Sequence, residues 1–127
     1  MKLTLKSVLL VFAGGALGSL LRYFAGAVLI NNFVALAVVN LLGAAFLGWF
    51  NGSAKAGKTQ FTAAGSGQFW AVGFAGGFTT MSGLAMSYLF LSVDIPAALG
   101  YVLAQFAFGI LVYIGAMKLS SGASRGA

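Results

Sequence analysis

A few polar side chains interrupt otherwise apolar runs of this chain, and their types suit the handling of a small ion. Arg22, Asn40, Thr79, Thr80, Ser82, Tyr101 and Gln105 each lie among aliphatic and aromatic neighbours. Guanidinium, amide, hydroxyl and phenol groups are hydrogen-bond donors, the groups that replace water around an anion. Polar residues inside an apolar run are expensive in lipid and mark ion paths or contacts between helices. Each therefore admits two readings. Arg22 either snorkels to the lipid headgroups or attracts anions at a vestibule. Asn40 either gives its amide hydrogens to an anion or makes an interhelical hydrogen bond, commonly about 0.6 kcal/mol. Ser82, Ser87, Tyr101 and Gln105 share that ambiguity.

The densest of these signals is the run Gly73-Phe74-Ala75-Gly76-Gly77-Phe78-Thr79-Thr80-Met81-Ser82-Gly83-Leu84. Three glycines precede a cluster of hydroxyls inside a segment long enough to cross a bilayer. Freed backbone groups in lipid cost several kcal/mol each, so a broken helix is tolerated only where it lines a cavity or binds an ion. Thr79 and Thr80 have a local alternative, bonding back to the preceding turn. The glycines directly before them favour a break.

Composition fixes the class that must position these residues. Of 127 residues, 61% are hydrophobic and 6% charged, with a mean hydropathy of +1.01; a soluble domain carries about 25% charged residues. The absence of cysteine and histidine excludes disulfides, thiol chemistry and a histidine metal site. Asp94 is the single acidic residue, so paired-carboxylate catalysis is excluded. No nucleophile–base pair or metal cluster supports an enzyme. The net charge of +6 sits at the ends of apolar runs and forms no single patch, which argues against nucleic acid.

Four apolar segments predict an all-α membrane protein of one domain, residues 1–127. Its helices are expected at about 7–30, 33–50, 69–93 and 96–117, each near the roughly 20 residues a span requires. The first is longer than the apolar region of a cleavable signal peptide and is expected to remain as a span. Pro96 suits a first helical turn, and residues 51–68 read as a solvent loop. Four crossings place Lys2, Lys6, Lys55, Lys58, Lys118 and Arg125 on one side, against Asp94 and at most Arg22 on the other. Both termini are expected in the cytoplasm. Gly14 and Gly18 have the small-xxx-small spacing of close helix packing, and Gly43 and Gly48 follow it loosely. Four helices enclose little of a pathway, so an oligomer is expected.

At this point the residues resemble a family. Gly14-Gly15-Ala16-Leu17-Gly18-Ser19-Leu20-Leu21-Arg22-Tyr23, Val39-Asn40-Leu41-Leu42-Gly43 and the Gly73–Ser82 run, in this order, are similar to the first-, second- and third-helix signatures of the Fluc (CrcB) fluoride channels. The resemblance covers nearly the whole chain. It implies an antiparallel dimer of four-helix subunits in a prokaryotic cytoplasmic membrane, with two narrow fluoride pores. It also implies a structural sodium ion held by backbone carbonyls, here those of Gly76 and Thr79. Residue by residue, it places pore roles on Asn40, Arg22, Tyr101, Thr80 and Ser82.

The chain departs from the pattern where the family has Phe-Ser-Thr-Phe. It carries Met81-Ser82-Gly83-Leu84, so both pore phenylalanines and one hydroxyl are missing. Gln105 stands where a serine is usual, and Ser87 where many members have a glutamate. Degenerate pore positions and a one-sided charge pattern together imply an antiparallel heterodimer with a second Fluc-like chain. The alternatives are a homodimeric fluoride channel with an atypical pore, a small multidrug-type transporter, or a non-transporting assembly subunit. The multidrug type needs a carboxylate in the first helix, and 7–30 contains none. An assembly subunit leaves the break unexplained.

Overall fold

In a computed structural model the described residues are 3–29, 32–57, 63–83 and 94–122, all helix and short connections. The expected Leu84 and Ser87 positions, and Lys2, Lys58 and Arg125, lie outside them. Helix α1 spans Leu5–Val28 and α2 spans Asn32–Lys55. The third helix, α3, starts π-helical over Gly67–Ala75 and ends in an α-helical turn, Gly76–Phe78. Helix α4 spans Ile95–Gly122. Helices α1, α2 and α4 are long and apolar enough to cross a membrane. The 24 residues of α1 reach roughly 36 Å, enough for a hydrocarbon core of about 30 Å.

Local chemistry sets the ends. Thr4 caps α1, its hydroxyl accepting from Ser7 N–H at 3.2 Å. Asp94 caps α4, accepting from Ala97 N–H at 3.3 Å, which leaves Pro96 in the first turn where no N–H is needed. Helix α2 runs to Lys55, past the expected end at Phe50. The residues read as loop are held against α4: Asn51 Nδ2 donates to Tyr113 Oη at 3.0 Å, and Ser53 is fully buried. Helix α4 likewise continues past Met117 to Gly122.

Packing relies on glycine. A Cβ at Gly14 or Gly18 meets the Phe69 or Phe74 carbonyl of α3, and one at Gly77 meets the backbone of Gly15. Helices α1 and α3 therefore run parallel with backbones touching. A Cβ at Gly48 meets the Tyr113 carbonyl, and one at Gly52 meets Met117 and Ser120 of α4, so α2 and α4 are parallel too. The spacing that matters on α2 is Gly48 to Gly52; Gly43 faces Thr79 on another side. The two parallel pairs place Lys6, Lys55 and Lys118 at one end of the bundle and Asp94 at the other.

The interior is filled by small residues such as Ala35, Val39, Ala75 and Ala98, while Phe12, Tyr23, Leu103 and Phe108 point outward. So much exposed apolar surface suits lipid as solvent. Aromatic rings join α2 to α3. Phe46 meets Phe74 edge-on at 5.0 Å, and Trp70, Phe74 and Phe78 follow one another four apart along α3.

The glycine seam makes a testable contrast within α1. G18A drives a methyl into the α3 backbone and should lower stability by about 1–3 kcal/mol. G26A projects into open space and should change it little. Thermal unfolding of the two variants in detergent checks this.

Candidate functional site

The third helix breaks at its threonines, after the glycines. Gly76 keeps helical angles (φ −64°, ψ −36°), whereas Thr79 is extended at ψ 161°. Gly77 serves the α1 contact instead of the break. Thr79 does bond back: its N–H and Oγ1 both donate to the Ala75 carbonyl, at 3.0 and 2.9 Å. The chain then turns at Thr80 and resumes helix over 81–83, with Thr80 Oγ1 accepting from Gly83 N–H at 2.9 Å as a helix cap.

Two side chains from neighbouring helices take up the freed backbone. Asn40 Oδ1 accepts from Thr80 N–H at 2.9 Å, and its Nδ2 donates to the Thr80 carbonyl at 3.5 Å. Arg22 Nη1 donates to the Thr79 carbonyl at 3.0 Å. One turn earlier, Ser19 Oγ donates to the Gly77 carbonyl at 3.4 Å. Arg22 lies roughly 9 Å from the end of α1 and reaches sideways to the break. Asn40 uses its amide between helices, the second of its two sequence readings.

These bonds also decide what is left for a cation. The helical donor for the Gly76 carbonyl is Thr80 N–H, and that donor is turned to Asn40. The Gly76 oxygen thereby loses its ordinary partner. Thr79's oxygen has two lone pairs, of which Arg22 takes one. Backbone oxygens suit a hard cation. Among the described residues no cluster of carboxylate, cysteine or histidine could hold a metal. The Gly76 and Thr79 carbonyls are oxygen donors of the type a hard cation takes, with Arg22 already on one of them.

A groove of about 330 Å³ opens beside the break, between α2, α3 and α4. Asn40, Thr79, Thr80 and Gln105 supply its polar wall; small residues such as Gly43, Ala44 and Ala71 leave the space. Gln105 Oε1 is buried there without a hydrogen-bond partner. Leu47, Met81 and Phe106 are the larger apolar side chains among its described lining residues. Ser82 is exposed and shares a hydrogen bond with Thr80 Oγ1 at 3.1 Å, away from the groove. Tyr101 is half-buried one turn before Gln105 and is not part of the lining, nor are Arg22 and Gly83.

Sequence reasoning passed over Ser19, Gly52 and Phe106. Ser19 was findable: Gly15, Gly18, Ser19 and Arg22 recur three or four apart and share one helix face. Gly52 follows Gly48 by four. Phe106 carries no such signal, since an aromatic in an apolar helix is ordinary.

Comparison with known proteins agrees with this architecture. The family model described as CrcB-like protein, Camphor Resistance (CrcB), matches residues 9–117. The chain belongs to the CrcB family. A relative from Leifsonia xyli subsp. xyli (strain CTCB07), named fluoride-specific ion channel FluC 2, is 33% identical over 130 residues, covering 95% of this chain and 89% of its own. Another from Gloeobacter violaceus (strain ATCC 29082 / PCC 7421), named fluoride-specific ion channel FluC, is 34% identical over 112 residues, covering 80% and 85%. No solved structure matches the chain.

Asn40 is expected to matter for stability before transport. N40A strands both Thr80 backbone groups at about 1–3 kcal/mol per buried group. Its thermal midpoint in detergent should fall clearly below that of an alanine substitution at the exposed Leu42.

Proposed function

We propose that this chain is a subunit of a fluoride channel that releases fluoride passively across the cytoplasmic membrane of a prokaryote, paired antiparallel with a second Fluc-like chain. Membership of the CrcB family and the names of the two relatives support fluoride as the ion. The family is one of membrane channels, so no enzymatic activity is assigned. The observation that carries the reading is the gathering of Asn40, Thr79, Thr80 and Gln105 on one groove in an otherwise apolar bundle.

In this reading Asn40's second amide hydrogen and the Thr80 and Gln105 groups face the ion, while Arg22 gives the approach a positive field. Ser82 and Tyr101 extend the polar path outside the groove. Met81, Gly83 and Leu84 are the positions where this chain contributes no ring. A sodium ion sits between facing breaks, on the carbonyls of Gly76 and Thr79. Lys6, Lys55 and Lys118 at one end support cytoplasmic termini under the positive-inside rule. A chain so biased inserts one way, and an antiparallel dimer then needs a partner inserted the other way. The presence of the four polar groups in one chain also favours a second reading, a homodimeric channel with an atypical pore.

Fluoride efflux from liposomes separates these. The chain alone should give no flux above protein-free liposomes, and co-reconstitution with a second Fluc-like chain from the same genome should give robust flux. Robust flux from the chain alone selects the homodimer, and no flux in either case removes the channel reading.

A further inference from the structure

One end of the bundle carries cations that the chain itself does not neutralise. Lys6, Lys55 and Lys118 stand exposed there, and the only acidic side chain in the sequence, Asp94, is at the opposite end. Lys55 lies one turn past Gly52, and Lys118 directly follows Met117, whose carbonyl abuts Gly52. The α2 and α4 lysines therefore sit within about one turn of the same level. We infer that this end is a docking surface for anionic phospholipid, with Lys6, Lys55 and Lys118 engaging phosphodiester headgroups of the leaflet they face. It requires only that the chain lies in a membrane, whichever ion it carries.

Helix-end electrostatics explain only part of the lysine pattern. Lys55, in the last turn of α2, meets the negative end of its own helix. Lys6 is in the first turn of α1, where a cation is unfavourable, and Lys118 precedes the last turn of α4. Those two charges call for an anion from outside the chain. What flanks them is apolar: Leu5 beside Lys6 is 76% exposed, and Leu119 beside Lys118 is 77% exposed. A soluble anion gains nothing from a bare leucine, whereas a lipid offers a phosphate and an acyl chain together.

Both tryptophans of the sequence lie inside the same charges. Trp49 is six residues before Lys55, roughly 9 Å along α2. Trp70 follows Phe69, whose carbonyl abuts Gly14, roughly two turns inside Lys6. Both indoles are partly exposed, and Phe46 contacts each of them. Indole prefers the boundary between headgroups and acyl chains. Two indoles beneath three lysines thus mark one headgroup layer. The Asp94 end has neither lysine nor tryptophan.

The tryptophans report on this end directly. The full chain is reconstituted in phosphatidylcholine vesicles that contain equal fractions of acyl-brominated phosphatidylglycerol or acyl-brominated phosphatidylcholine, and tryptophan quenching is compared. The brominated phosphatidylglycerol should quench as a lipid bound about fivefold more strongly, the scale of a screened lysine–headgroup attraction. K6Q/K55Q/K118Q should lose most of that preference, and K6R/K55R/K118R should keep it. Millimolar inorganic phosphate at constant ionic strength should leave it in place. Equal quenching of wild type by the two lipids overturns the inference, as does an undiminished preference in the folded glutamine variant. A preference abolished by free phosphate assigns the lysines to a soluble anion and also overturns it. If the triple glutamine variant does not fold, the single variants K55Q and K118Q decide. Each should lower the preference, and two folded single variants with the wild-type preference overturn the inference.

Discussion

A helix that stops inside a membrane leaves backbone groups with nothing to bond, and Asn40 removes that penalty at Thr80. Its two amide atoms match the N–H and C=O of one residue, at 2.9 and 3.5 Å. Without that pair, the Thr80 N–H and C=O would be left unpaired at the break. The extended Thr79, the capped turn at 81–83, the released Gly76 oxygen and the groove beside them all follow from where Asn40 sits on α2. Arg22 reinforces the same bend from α1 by taking the Thr79 carbonyl.

Such reach demands close helices. An asparagine side chain is short, so α2 must approach the break, and Gly43 allows this by placing no methyl against Thr79. The serine and arginine of α1 reach α3 only because Gly14 and Gly18 meet its backbone directly. Bulk is displaced to the lipid face and to the Phe46–Phe74 aromatic contact, which fixes the upstream half of α3 against α2. A bundle with glycine at its contacts thus has little apolar core of its own and depends on lipid around it.

Much of this was legible in the chain. Apolar runs pointed to the three helices long enough to cross a membrane, α1, α2 and α4, because span length is tied to bilayer thickness, and the Gly73–Ser82 stretch located the break because hydroxyls after glycines are rare in a simple span. Gly14 and Gly18 announced their contact by spacing. The sequence could not say which residue of the stretch breaks, because that depends on where Asn40 meets it. It did not reveal the π-helical start of α3, whose wider turn leaves no periodic mark over nine residues. The helical continuation to Lys55 was hidden because Asn51, Gly52 and Ser53 read as loop until α4 packs on them. The roles of Arg22 and Asn40 stayed double in sequence, since a donor looks the same whether it faces an ion or a carbonyl.

The central claim is that Asn40 holds the break by pairing with Thr80, and solid-state NMR in lipid tests it most directly. Protein labelled with ¹⁵N at the asparagine side chains and ¹³C at threonine carbonyls, with N51A as the assignment control, gives dipolar dephasing between Asn40 and Thr80. Strong dephasing that persists in N51A matches the 3.5 Å donor–acceptor contact. Absence of dephasing at Asn40 in well-folded protein would mean that the break stands without it, and the account would be wrong at its base.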